Sequence, residues 1–186
     1  LSVPAQEGAV AIAFFDLHGV SKSGLSAGPV PALPGNNLPQ PDLTSATSVS
    51  LLMQGGAMRW LETGTYNGEK LDGRALADKG QFWSFNGQVG RTDRPLFSAK
   101  TGHSTVVEMA NETRWPHGMT CHGHHVREIM AGGSDTVIGP WRDTILLDAD
   151  ERKRIAFVAD KPGKWMIHCH MLEHQAAGMA TWFHVT

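Results

Sequence analysis

The chain has 186 residues, of which 41% are hydrophobic and 18% charged, with a formal charge of -2 and a pI near 6.6. That length supplies one well-filled core of roughly 100 to 150 residues plus an extension, and the near-neutral balance gives no electrostatic handle for nucleic acid or an anionic membrane. With 21 glycines and 10 prolines the chain exceeds the typical roughly 12% for the two together, which favours short strands joined by turns over long helices.

Residues 1–44 hold six of the ten prolines (Pro4, Pro29, Pro31, Pro34, Pro39 and Pro41) in a Gly/Ser-rich setting. This predicts an extended N-terminal arm or interdomain connector with at most one strand, the run AVAIAFF. That run lacks a basic flank and lies between Glu7 and Asp16; it reads neither as a signal peptide nor as the ~20 apolar residues of a membrane span. Because the chain begins at Leu1, an upstream segment is expected to have been removed. From residue 45 to residue 186 the texture changes to short apolar runs punctuated by turn signals: SVSLLMQGG, MRWLETG, Asn67-Gly68, FWSFNGQVG with Asn86-Gly87, STVVEMANET, VREIMAGG, DTILLDADE, RIAFVADKPG, KWMIHCHM and MATWFHVT. These predict the strands of an all-β sandwich. The mixed charges of residues 148–154 read as a solvated hairpin turn. Asn111-Glu112-Thr113 matches an N-glycosylation acceptor, a triplet common by chance.

Ten histidines and eight methionines, against only two cysteines, stand out, and seven of the histidines lie between His117 and His174. Imidazole, thioether and thiolate are the side chains that soft and borderline transition metals select. In KWMIHCHM, a strand's period of two puts Trp165, Ile167, Cys169 and Met171 on one face and Lys164, Met166, His168 and His170 on the other. HCH alone fits equally well a buried cysteine between two surface histidines. His174 and Met179 follow within the same loop, with Gly178 giving backbone freedom before the methionine, and Cys, His and Met returning together make a ligand set. In RWPHGMTCHGHHV the same parity sets His117, Met119 and Cys121 on one face and Thr120, His122 and His124 on the other. If the two inward faces meet, His117 reaches Cys169. One thiolate, two imidazoles and a long axial thioether suit copper in electron transfer, whereas zinc prefers four strong ligands. Cys121, Met119, Met130, Met166 and Met171, and the tryptophans Trp83, Trp115, Trp141, Trp165 and Trp182, read as packing residues; His18, His103 and His184 stand alone.

HCHMLEHQAAGM resembles the C-terminal copper motif of laccase-like multicopper oxidases, and WPHGMTCHGHH resembles the H-x-x-H-x-H-G element of their last domain. SLLMQGGAM, FWSFNG and FVADKPGKW are similar to the copper-resistance branch, so the likeness covers roughly residues 45–186. The resemblance implies a Greek-key β-sandwich of the cupredoxin type. It implies that His117, Cys169, His174 and Met179 bind one type 1 copper. His122, His168 and His170 match positions that help hold the family's trinuclear copper cluster, as a remnant of it or as a second, weaker site for copper or zinc. It also implies a periplasmic or secreted setting. Thr120 stands where the family has a histidine, and the chain has no further H-x-H pair, so a complete oxygen-reducing cluster is not expected from it alone.

Three functions follow. The first is a type 1 copper electron-transfer domain that accepts an electron from a small-molecule or protein donor. The second is a part of a complete laccase-like oxidase, with a preceding cupredoxin domain or copies of itself supplying the missing ligands. The third is a copper-sequestering tolerance protein.

Overall fold

The computed structural model describes residues 2–5, 8–11, 31–132 and 135–186. In chain order the elements are β1 (Ser2–Ala5), β2 (Gly8–Ala11), β3 (Thr47–Gly55), β4 (Thr63–Tyr66), β5 (Glu69–Asp72), α1 (Gly73–Asp78), β6 (Trp83–Phe85), β7 (Gln88–Val89), β8 (Ser98–Ala99), β9 (His103–Asn111), β10 (His117–Cys121), β11 (Val126–Gly132), β12 (Asp135–Arg142), β13 (Thr144–Leu147), β14 (Arg152–Ala159), β15 (Gly163–Cys169), α2 (Leu172–Ala176) and β16 (Ala180–Val185). Two compact units are present, Leu1–Asn36 and Asn37–Thr186. In the first, β1 and β2 pair antiparallel, with Val3 opposite Val10 and Pro4 opposite Ala9. The arm therefore holds two strands where the sequence led us to expect at most one. Proline is tolerated there because both strands of a two-stranded ladder are edges. Residues 12–15 of AVAIAFF, and His18, lie outside the described residues.

The second unit is a sandwich of two sheets, one of five strands in the order β13-β10-β15-β16-β8 and one of nine in the order β12-β11-β14-β9-β3-β6-β7-β4-β5. Inward residues of both form one core: Leu51, Met53, Phe85, Val107, Ile155 and Phe157 from the larger sheet meet Met119, Leu147, Ile167 and Phe183 from the smaller. Alternating burial along β3 and β13 follows from each strand presenting one face to that core. Both Asn-Gly pairs make tight turns, β4 to β5 and β6 to β7, with positive φ at Asn67, Gly68, Asn86 and Gly87, the backbone that two-residue hairpins require. Residues 37–44 belong to this unit: the Asp42 amide donates to Ser104 Oγ at 2.8 Å, and Leu43 packs on Val106, Ile129 and Ala156.

The structure adds one strand to those expected and differs from expectation at two other places. Strand β12 was not foreseen, because its Gly139-Pro140 pair looks like a breaker. It is an edge strand, where a missing N–H is tolerated, and the Arg127 guanidinium donates to the carbonyls of Ile138 and Gly139 beside the bulge in its pairing with β11. Residues 148–151 do not close a hairpin, since β13 and β14 lie in different sheets. They form a crossover in which Asp150 accepts from Arg59 at 2.8 Å and Arg114 at 2.9 Å. His124, assigned by parity to the outward face, is buried against Phe157, Trp165 and Phe183, because β10 ends at Cys121 and a turn at residues 122–123 reverses the alternation.

The loop from His170 to Met179 is tied to both sheets. The Cys169 amide donates to Met179 O at 3.1 Å and the His170 amide to Gly118 O at 2.6 Å; across the sandwich the Phe82 and Trp83 amides donate to Ala177 O, and the Gly90 amide to Gly178 O at 2.9 Å. Gly178 has φ +115°, and a Cβ there would lie 2.3 Å from Trp83 O. Gly178→Ala is therefore expected to destabilise the fold by at least the roughly 1–3 kcal/mol of a strained backbone, read as a lower midpoint in urea unfolding; an unchanged midpoint would mean that this loop is free to shift.

Candidate metal centre

Strands β10 and β15 are neighbours with Met119 opposite Cys169 and Thr120 opposite His168, so His117, at the start of β10, shares the inward face with Cys169. The short helix α2 then turns the chain back, and His174 arrives beside them. Cys169 Sγ lies 3.9 Å from His117 Nδ1 and 3.7 Å from His174 Nδ1, and the two Nδ1 atoms are 3.1 Å apart. Among the described residues this is the group of three or more His, Cys, Asp or Glu whose donor atoms all fall within 4.8 Å of one another. His117, Cys169 and Met179 are each 0% exposed, and His174 is half-buried, the one member that reaches the surface. Met179 adjoins the group through its backbone, its amide donating to His174 O at 2.9 Å.

Trp83, on the opposite sheet, holds both imidazoles in place. Its ring centroid is 4.9 Å from that of His117, edge to face, and 4.6 Å from that of His174. From the sequence Trp83 was only one packing aromatic among several; no local signal ties it to residues so distant in the chain. Burial pushes the His117 pKa down to about 4, with a smaller contribution from His174. Burial likewise lowers His174 and raises the Cys169 thiol. Both rings are therefore neutral at pH 7, and at 3.1 Å one Nδ1 donates to the other beside the thiol. Two imidazole nitrogens and a thiol sulfur match the donor chemistry of copper, and a bound cation would displace the thiol proton.

On the other side of β15, His168 is buried and His170 exposed, and His122 is exposed in the turn after β10. The His168 ring centroid lies 5.9 Å from that of His122 and 6.2 Å from that of His170, so the three are neighbours, but their nitrogens do not converge as the first group's do. His168 Nδ1–H donates to Cys169 O at 2.9 Å, which leaves Nε2 as its free donor atom. Thr120 Oγ1 donates to Asp143 O at 3.0 Å, so its hydroxyl is spent on the backbone. Met171, expected on the core face, is 42% exposed because the strand ends at Cys169. Met119 and Cys121 are core residues, and burial pushes the Cys121 thiol up to about 12. His103 is exposed and His184 half-buried, each apart from the group. Asn111, the acceptor of the glycosylation triplet, is 1% exposed and is spent on internal hydrogen bonds. It is not available to a glycosyltransferase in the folded chain.

Residues 65–186 match the profile of the family described as Multicopper oxidase. The chain belongs to the multicopper oxidase family. It is 37% identical over 99 residues to "Multicopper oxidase MmcO" of Mycobacterium tuberculosis, covering 53% of this chain and 19% of that protein. It is 31% identical over 97 residues to "Copper resistance protein A homolog" of Pseudomonas syringae pv. tomato, covering 52% and 16%. The crystal structure of Lac15 from a marine microbial metagenome superposes with a TM-score of 0.65 at 33% identity, over 99% of this chain and 37% of that one. The chain thus spans under a fifth of these curated relatives and over a third of Lac15. Its sandwich is a cupredoxin domain of this family, and family membership implies copper as the metal. No helix among the described residues is long and apolar enough to cross a membrane.

The lowered histidine pKa values set a sign for metal-free stability. His117 ionises near its ordinary value of 6.5 when unfolded and at about 4 when folded, so the unfolded state takes up the proton first. Stability is complete above about pH 6.5 and is lost as pH falls toward 4, by up to about 3 kcal/mol from this group. Thermal unfolding of the metal-free chain is expected to show a falling midpoint across that window, shallower in His117→Gln; a flat profile would mean that His117 is not held neutral.

Proposed function

We propose that this chain is a type 1 copper electron-transfer domain, with His117 Nδ1, Cys169 Sγ, His174 Nδ1 and the Met179 thioether as ligands, and that it accepts an electron from a reductant at the exposed edge of His174. The observation that carries the reading is the convergence of two neutral imidazole nitrogens on one buried thiol, with only His174 open to solvent. Copper bound there would supply a one-electron couple. The protein's part is to hold its donors in one geometry and keep water away: β10 and β15 set His117 and Cys169, the hydrogen-bonded loop sets His174 and Met179, and Trp83 packs on both rings. Little rearrangement between oxidation states then opposes transfer.

His174 lies in the wall of a groove of about 800 Å³ together with Trp60, Phe82, Trp83 and Trp115. Its apolar walls suit a small-molecule reductant, and its open mouth leaves room for a protein donor. From Cys169 the electron's exit runs through the adjacent backbone to His168 and His170 on the opposite face. There, with His122, they form the side on which a preceding cupredoxin domain or another copy of this chain would complete a cluster. The short span of the chain against its relatives favours this second reading, in which the domain works as part of a laccase-like oxidase. Residues 1–36 serve in it as arm or connector, in a periplasmic or secreted setting. As an isolated chain, His122, His168 and His170 offer at most a second, weaker site for copper or zinc.

Copper-loaded protein is expected to show the intense visible charge-transfer band of a copper–thiolate bond, and Cys169→Ser to abolish it completely; retained colour would mean a different ligand set. Met179→Leu is expected to keep copper bound and raise the reduction potential, since losing even a weak donor favours the cuprous state. An unchanged potential, measured by redox titration, would exclude Met179 as the axial group. Oxygen uptake by the homogeneous chain with phenolic or cuprous reductants is expected to be negligible, and Thr120→His alone is expected not to restore it. Laccase-like turnover in an oxygen electrode would mean that copies of this chain complete a cluster between them.

A further inference from the structure

The triplet Asn111-Glu112-Thr113 has a use that its resemblance to a glycosylation signal conceals. Asn111 and Thr113 are both buried, at 1% and 0% exposure, just ahead of His117. The Asn111 side-chain amine donates to Trp115 O at 2.8 Å and Asp148 O at 2.9 Å. These carbonyls only accept, so the orientation of the amide is determined. Its oxygen, Oδ1, then faces Thr113, accepting from the Thr113 amide at 3.0 Å and standing 2.7 Å from Thr113 Oγ1. Two oxygens at that distance need a proton between them, and only the threonine hydroxyl has one to give. The hydroxyl has a second acceptor within reach, Trp115 O at 3.1 Å, but the 2.7 Å contact to Asn111 Oδ1 is the one that must hold its proton. Oγ1 then accepts from the Trp115 amide at 3.2 Å and from His117 Nε2 at 2.8 Å.

We infer that Asn111 and Thr113 are positioning residues that fix the tautomer of His117: they hold the proton on Nε2 and so leave the Nδ1 lone pair directed at Cys169 and His174. The inference rests on the proposed role of His117 for its consequence, but not for its geometry. Without the relay, a neutral imidazole would exchange its proton between the two nitrogens and a fraction of molecules would present N–H, not a lone pair, to the metal. An Nε2–H that donates to a neutral oxygen also makes the ring a somewhat stronger donor through Nδ1, as outer partners of metal-bound histidines do. The relay is anchored at its Asn111 end by two carbonyls, one from the loop before β10 and one from the crossover after β13.

The direct test is ¹⁵N NMR of histidine-labelled, metal-free protein at pH 7.5, where His117 is neutral. The expected result is a single Nε2–H tautomer for His117; an Nδ1–H tautomer, or an averaged pair, in the wild-type chain overturns the inference without any variant being made. Thr113→Val, which keeps the shape and removes the hydroxyl, is expected to shift the ring toward a tautomer mixture, and Thr113→Ser to restore the wild-type spectrum. An unchanged tautomer in Thr113→Val would equally overturn it. In copper-loaded protein, Thr113→Val is expected to weaken copper binding by about 10- to 100-fold and raise the reduction potential, with Thr113→Ser near wild type. If the tautomer behaves as stated but the chain binds no copper at His117, the proposed function fails and the relay stands.

Discussion

The structure depends on the alternation of side chains along β15, read in register against β10. A thiol that points into a dry core and imidazoles that point out of it can be neighbours in sequence only because a strand turns each successive side chain to the opposite face. Pairing Met119 with Cys169 and Thr120 with His168 brings His117 to the inner side and stacks the remaining histidines on the outer one. A slip of one residue would exchange the two sets. The large neighbouring core residues, Ile167 on the same face and Phe183 on the adjoining strand, oppose that slip, because it would carry Ile167 to the outer face. Hydrophobic packing thus helps to hold the register.

Burial supplies the electrostatics. Removed from water, the two imidazoles stay neutral and the thiol keeps its proton. Any charged form of the group on its own is therefore disfavoured. Trp83 keeps the rings from separating to find other partners. Elsewhere among the described residues, buried His124 Nε2 and the hydroxyls of Ser84 and Thr105 lack a hydrogen-bond partner, with Asp160 3.7 Å from His124.

The strand runs, the Asn-Gly turns and the inward and outward faces of HCH and HGMTC were legible in the sequence because period-two patterns and turn chemistry are local. What was not legible came from tertiary context. Strand β12 contains a Gly-Pro pair that reads as a breaker until the sheet order makes it an edge. His124 obeys a turn, not the strand before it. The crossover at residues 148–151 has the composition of a hairpin, and only the sheet assignment of its flanking strands distinguishes the two. Trp83 reaches the site from a strand remote from both histidine clusters. Asn111 and Thr113 carried a visible signal, an N-x-T triplet just ahead of a candidate ligand, but its meaning depended on which carbonyls the folded chain put around the amide.

The pairing of β10 with β15 has a consequence for the thiols during folding. It joins segments about fifty residues apart, while β3 pairs in parallel with the distant β9 and β8 with β16. Topologies dominated by such non-local contacts close slowly, on millisecond to second timescales. Until β15 docks, Cys121 and Cys169 are ordinary exposed thiols in an unfinished chain, open to oxidants and to mispairing. Once it docks, both are buried and free, and their raised pKa values withdraw the thiolate that exchange chemistry needs. The docking of β15 against β10 therefore also ends the interval in which the chain's sulfur chemistry is unprotected.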